Sequence, residues 1–551
     1  MNLPIFGALL NLPALLGFPV LPGVLLAFSM LPGVPSWPRP AAADDKPPAP
    51  KMPLSKETTY VTGPLDAEGY VDYESALNAE LSRGVTPQTN ANVLLIQAFG
   101  PAPEGGDGLP PAYFKWLGIP IPPRDGGPYI VSIGGFARDK LALTNEQLEA
   151  VYDQQSRCTR RPWTARDYPV VAEWLKAIER PLGLVVEATG RPRYFNPLVA
   201  RTTDGKRGLL FNALLPSVQR CREVANALTA RAMLRLGEGR LDDAWADLIA
   251  CHRLARLLSQ GGTMIEGLVA VAIHSIATNS TLAYLEALET AKLDSPQLAR
   301  RLKELQALPG FKPLGDLIEF GERFFGLDSF QHIRSGGLDL LEGHSADDAT
   351  RKPTAEELKA LDSIDWEPGL KAINRWYDKL VAATRLPDRP ARVKAFAELE
   401  KELMTREKEM TGVENLRRLL LNENETPKHV SRRLAEIMMG LLTPAISRVQ
   451  GAYDRASQLE SNLHLAFALA AYRVDTGKYP AKLADLAPKY LTAVPGDIFT
   501  GQPLVYKPTE SGYLLYSVGQ NGKDDGGTGY DDDPPGDDLV VRMPLPPLRK
   551  R

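Results

Sequence analysis

Cysteine is scarce: Cys158, Cys221 and Cys251 are the three in 551 residues. That number excludes a disulfide framework, and the spacing matches no zinc or redox motif. The three thiols read as small buried apolar side chains. The six histidines contain no His-x-x-x-His pair, which excludes a zincin on motif grounds. Neither a Gly-x-Ser-x-Gly elbow nor a Gly-x-x-x-x-Gly-Lys-Ser/Thr phosphate loop occurs. An excess of charge of one sign is missing too. Lys+Arg number 64 against 67 Asp+Glu, a net −3, so no electrostatic footprint for nucleic acid exists. Beyond the first segment, no stretch approaches the ~20 uninterrupted apolar residues of a membrane span. The mature chain is therefore expected to have no stable transmembrane span.

What is present is unevenly spread. Residues 1–38 carry no charged side chain and end at Pro40-Ala41-Ala42-Ala43-Asp44. Small residues before an abrupt polar shift mark a signal-peptide-like segment over 1–43, with cleavage near Ala43 and an extracytoplasmic location. The alternative is a cytoplasmic chain in which that segment stays uncleaved. Prolines then make 44–57 a stiff linker.

Helical periodicity dominates the middle. An irregular, partly helical subdomain is expected over 58–138, without helix between Pro101 and Pro128, and a helical domain over 139–440. Thr144-Asn-Glu-Gln147 has the form of a capping box. Residues 217–236 and 241–258 form a helical hairpin, closed by Gly237 and Gly239 and restarted by Asp242 and Asp243 at a positive helix N-terminus. Met264 to Leu288 reads as a central, largely buried helix. It carries Glu266 and His274 eight residues apart, with His252 in the preceding hairpin. Buried ionisable neighbours can mark an acid–base site, so Glu266 and His274 are the candidate catalytic pair; the other reading is core polar groups that fix helix register. Asp339, Glu342 and His344 fall in a polar loop over 339–352.

The richest chemistry lies in the module 441–551. Thr443-Pro444 is expected to start an amphipathic helix that stops at Gly477. A short turn at Leu483 to Leu486 follows, then strands at 504–507, 513–518 and 539–542. Between the last two strands runs Gly519-Gln-Asn521-Gly-Lys-Asp524-Asp525 and on to Asp537-Asp538. Seven aspartates within 524–538 repel one another and favour a counter-ion. An EF-hand starting at Asn521 is excluded, because Lys523 would stand at loop position three and Asp532 at position twelve.

Three resemblances follow from these residues. Leu236-Gly237 with Arg240-Leu241-Asp-Asp-Ala244-Trp245 is similar to one tetratricopeptide hairpin, with no second copy at the required period. The order Tyr472-Arg-Val-Asp475-Thr-Gly477-Lys-Tyr479-Pro480, Val494-Pro495-Gly-Asp497, Gly501-Gln-Pro503-Leu504-Val-Tyr506 and Tyr516-Ser517-Val518-Gly519 resembles the globular domain of type II secretion major pseudopilins over 445–543. The chain as a whole resembles large uncharacterised exported proteins of Planctomycetes-like bacteria, which brings no activity. The pseudopilin resemblance implies Ca²⁺ held by the backbone oxygens of Ser517 and Val518 and the side chains of Asn521, Asp537 and Asp538. Asp524 and Asp525 are added from this sequence itself. The family's N-terminal processing site and stalk are absent, so entry into a filament by that route is not expected.

Together these readings predict a mainly α-helical bundle with a C-terminal α+β module. The expected role is a non-catalytic exported structural or interaction protein of the cell envelope, with a protein partner. The alternatives are an extracytoplasmic hydrolase using Glu266 and His274, and a cytoplasmic tetratricopeptide-like adaptor.

Overall fold

A computed structural model describes residues 48–548 except 107, 126, 201–207, 211–212, 214, 291–293, 338–353, 408–418 and 423–424. The signal-peptide-like segment and the 339–352 loop with Asp339, Glu342 and His344 lie outside the described residues.

Helices α1 (Tyr73–Leu81), α2 (Ala91–Phe99) and α3 (Pro111–Leu117) open the chain. The third corrects the expectation of no helix between Pro101 and Pro128. Pro110 and Pro111 precondition its first turn and Gly118, at φ 68°, closes it, so prolines flank the helix rather than interrupt it. Next come α4 (Ile133–Leu141), α5 (Asn145–Cys158), α6 (Pro169–Ala177) and α7 (Glu179–Ala188). The Thr144–Gln147 capping box is present at the start of α5, as the sequence predicts.

The predicted hairpin is α8 (Pro216–Gly237) and α9 (Leu241–Leu258), and both pack on α10 (Met264–Thr290). Among the described residues, α10 alone is long and apolar enough to cross a membrane, and 83% of its most apolar window is buried inside the fold. It is a core helix. Its apolar residues surround the axis because neighbours pack on every side. The three cysteines are buried free thiols, as expected.

Then follow α11 (Ser295–Gln306), α12 (Leu314–Leu317), a π-helical turn (Ile318–Glu322), α13 (Arg323–Arg334), α14 (Ala355–Ser363), α15 (Glu367–Thr384) and α16 (Arg389–Glu407).

The spine is α17 (Pro427–Thr476), 50 residues long. The expected start at Thr443-Pro444 is corrected: the helix begins at Thr426, whose side chain accepts from the His429 N–H, with Pro427 in its first turn. Pro444 lies inside the helix. Lacking an amide N–H, it leaves the Gly440 carbonyl without its usual donor, yet the helix continues unbroken to Thr476. Gly477 at φ 79° closes it.

Past a 3₁₀ turn (Leu483–Leu486), β1 (Val505–Pro508), β2 (Tyr513–Ser517) and β3 (Leu539–Met543) form an antiparallel sheet in the order 1-2-3. Tyr516 pairs with Val505 on one side and Val540 on the other. Leu515, Val541 and Met543 enter the same apolar core as the helices.

Candidate functional site

Two groups of residues carry chemistry, and the fold treats them differently. The first is the candidate pair Glu266 and His274. Eight residues at 1.5 Å rise separate them by about 12 Å along α10, and each meets different neighbours.

Glu266 is fully buried at the first turn of α10. Its Oε2 accepts from the backbone N–H of Gly262 (2.8 Å) and Thr263 (3.1 Å), while Thr263 Oγ1 accepts from the Glu266 N–H at 3.1 Å. This is a reciprocal capping box. Its Oε1 accepts from Asn196 Nδ2 at 3.0 Å. Glu322, the last residue of the π turn, adds a carboxylate that accepts from Met264 N–H at 3.0 Å. Burial raises the pKa of Glu266 against these donors, and burial pushes Glu322 up to about 7.

His274 is 1% exposed. Neither ring nitrogen makes a hydrogen bond of regular geometry, and the Ala456 backbone lies beside the ring. Its edge packs on Phe311 (5.4 Å between centroids) and on His252 (5.6 Å). His252 Nε2 meets Thr281 Oγ1 at 3.0 Å. Arg256 stacks over Phe311 at 4.0 Å and pairs with Glu460 of α17 at 2.7 Å. Burial, then Arg256, lowers the pKa of both histidines, His252 to about 3. The hydrolase alternative required both side chains at one solvent-reachable cavity. In the structure Glu266 and His274 meet different neighbours and both are buried, because one caps a helix and the other fills a three-helix junction.

The second group is the β2–β3 loop. The resemblance requires its acidic side chains to converge on an ion, and they turn instead to N–H donors. Asp537 Oδ2 accepts from the Asn521 N–H (2.8 Å), and its Oδ1 pairs with Arg455 Nη1 of α17 at 2.7 Å. Asp525 Oδ2 accepts from the Asp537 N–H (2.8 Å) and Asn521 Nδ2 (3.1 Å). Asp538, 3% exposed, accepts from the N–H groups of Gly527 (2.7 Å) and Asp525 (3.4 Å). Asp524 Oδ1 accepts from Tyr516 OH (2.9 Å) and the Gly526 N–H (2.8 Å), and these bonds lower its pKa. Asn521 Oδ1 accepts from the Lys523 N–H at 2.7 Å. Ser517 ends β2, paired to Leu539, and the Val518 N–H just past it donates to Asp497. Among the described residues no three His, Cys, Asp or Glu side chains are grouped to hold a metal. This donor set does not fit a calcium ion: a guanidinium already sits on Asp537, and Asn521 divides its amide between Lys523 and Asp525.

Several residues that sequence reasoning missed hold the module in place. Gln458 and Asn462, both fully buried one turn apart on α17, bond each other at 2.8 Å. Gln458 accepts from the Ile498 N–H and Asn462 donates to the Leu539 carbonyl. Asp497, 3% exposed, accepts from the N–H groups of Phe499 and Val518 and so ties the turn to the end of β2. An adjacent polar pair in an otherwise apolar helical stripe was the one local signal for Gln458 and Asn462. The Thr263–Glu266 box was written in the sequence as Thr-x-x-Glu before an apolar run.

Compared with known proteins, the chain matches no family model, and no curated protein and no solved structure matches it.

Proposed function

We propose that this chain is a non-catalytic structural or interaction protein of the cell envelope, in which the helical body presents a pseudopilin-like C-terminal module in a fixed orientation. One observation carries the reading: α17 belongs to both parts. Ser431 near its start accepts from the Gly369 N–H of α15, and Glu460 pairs with Arg256 of α9. Asn462 and Gln458 hold the sheet and its preceding turn. Near its end, Arg473 meets Glu289 of α10 at 3.2 Å, and Tyr479 donates to the same carboxylate at 2.9 Å. The Leu545 N–H after β3 donates to Glu286, again on α10. A single helix bonded along its length to both parts removes the hinge that a movable or filament-building module would need. The conversion of Glu266 and His274 to packing roles supports the non-catalytic side of the reading. Export rests on the 1–43 segment, and the calcium ion is no part of it.

Cell fractionation tests the reading. The mature chain should start near Asp44, reside outside the cytoplasm, and migrate in native gels with a stoichiometric protein partner. A cytoplasmic chain with Met1 intact, or one that migrates alone after gentle extraction, overturns it.

A further inference from the structure

We propose that the β2–β3 loop is an intramolecular latch closed by arginine, with Arg455 of α17 doing the work that the pseudopilin resemblance assigns to calcium. The inference concerns how the loop is closed and stands apart from any partner of the whole chain. Seven aspartates in 524–538 need compensating charge, and the fold supplies it from three directions. Arg455 pairs with Asp537 at 2.7 Å. Arg542 of β3 donates through Nη2 to Asp532 Oδ2 at 2.6 Å and through Nη1 to Oδ1 at 3.3 Å, and it also reaches the Gly527 carbonyl. Arg160, just past α5, stands 3.5 Å from Asp531. At the loop entrance Arg389, at the head of α16, donates to the Gln520 carbonyl at 3.3 Å while its guanidinium stacks on Phe499 at 4.6 Å.

These cations come from separate elements, so closing the loop also docks it on the body. The pairing decides how calcium would act. An ion bonded to Asp537 Oδ1 at roughly 2.3–2.6 Å would share that oxygen with a guanidinium already on it. Two cations on one carboxylate oxygen repel, so an ion entering there works against the Arg455 pair. Because Arg455 is on α17, its departure cuts the link between loop and body. Calcium would thus compete with the latch instead of fastening it.

Hydrogen exchange on the full chain, followed over 519–538, tests the idea. Exchange and melting temperature should be the same in EGTA and in roughly 1 mM CaCl₂, the range in which extracellular calcium modules bind. Arg455→Gln should speed loop exchange by roughly 2- to 5-fold, the scale of a partly exposed ion pair, and Arg455→Lys should recover part of it. Asp537→Asn, which removes the other half of the pair, should repeat the effect of Arg455→Gln. Calcium that slows loop exchange and raises the melting temperature of the unaltered chain overturns the proposal. So does unchanged loop exchange in both Arg455→Gln and Asp537→Asn.

Discussion

Thr263 and Glu266 exchange hydrogen bonds across the first turn of α10, each side chain accepting the other's backbone N–H at 3.1 Å. The same carboxylate also collects the Gly262 N–H and the Asn196 amide. An ionisable group in a buried helix, which first reads as a catalytic candidate, is the fastening of that helix to the irregular segment carrying Asn196.

Removing it should be costly. Glu266→Ala leaves the Gly262 and Thr263 N–H groups and the Asn196 amide unpaired in the interior, and the loss should reach about 2–4 kcal/mol. Glu266→Gln keeps an acceptor at the third helical position and should lose clearly less. Urea unfolding of the two variants side by side measures the difference. Equal losses would show that the cap is unimportant.

Asp247 should be more sensitive still. It is 1% exposed and accepts from Arg231 Nε (3.0 Å), Arg231 Nη2 (2.6 Å) and Arg235 Nη1 (2.8 Å), which binds α8 to α9. Asp247→Ala strands the buried Arg231 and largely buried Arg235 guanidinium groups, and the expected loss is about 3–5 kcal/mol. Thermal unfolding of that variant, with exposed Asp243→Ala as control, checks it.

Stability should fall on mild acidification. His252 and His274 are buried with folded pKa values below 6.5, so folding keeps them neutral while the unfolded chain protonates them. Their stabilisation is full above pH ~6.5 and is lost as pH falls below it, at up to about 1.4 kcal/mol per pH unit for each histidine. The titratable and charged groups facing them are Arg256 from the same helix as His252, which deepens the penalty and is itself paired with Glu460, and His464 from α17. Denaturant midpoints at pH 7.5 and 5.0 should separate, and His274→Phe should narrow the gap by about one proton's share. An unchanged gap would count against a neutral His274.

Two glycines make opposite demands. Gly477 needs its left-handed φ of 79° but has open space around it, so Gly477→Ala should cost only about 1 kcal/mol. Gly321, in the π turn, would bring a Cβ to 1.9 Å from the Gly262 carbonyl, beside the α10 cap. Backbone cannot yield as a side chain would, and Gly321→Ala should lower the melting temperature much further. Circular dichroism melts of both variants rank them.

Local signals were legible in the sequence. The capping box at Thr144, the hairpin 217–258, the buried helix from Met264 and the three strands all depend on periodicity and on residues within a turn of each other. The start of α17 was misread because Thr443-Pro444 is a good local start, whereas the helix is already under way from Pro427 and runs through it.

The sequence by itself therefore determined the helical class, the C-terminal strands and most element ends, since backbone geometry and caps act over a few residues. Tertiary structure alone decided what the polar groups do. Arg455 and Asp537 lie 82 residues apart, and Asn196 and Glu266 lie 70 apart. A Thr-x-x-Glu pattern can announce a helix cap, but whether a carboxylate also meets a distant arginine or amide depends on which donors folding brings within about 3 Å.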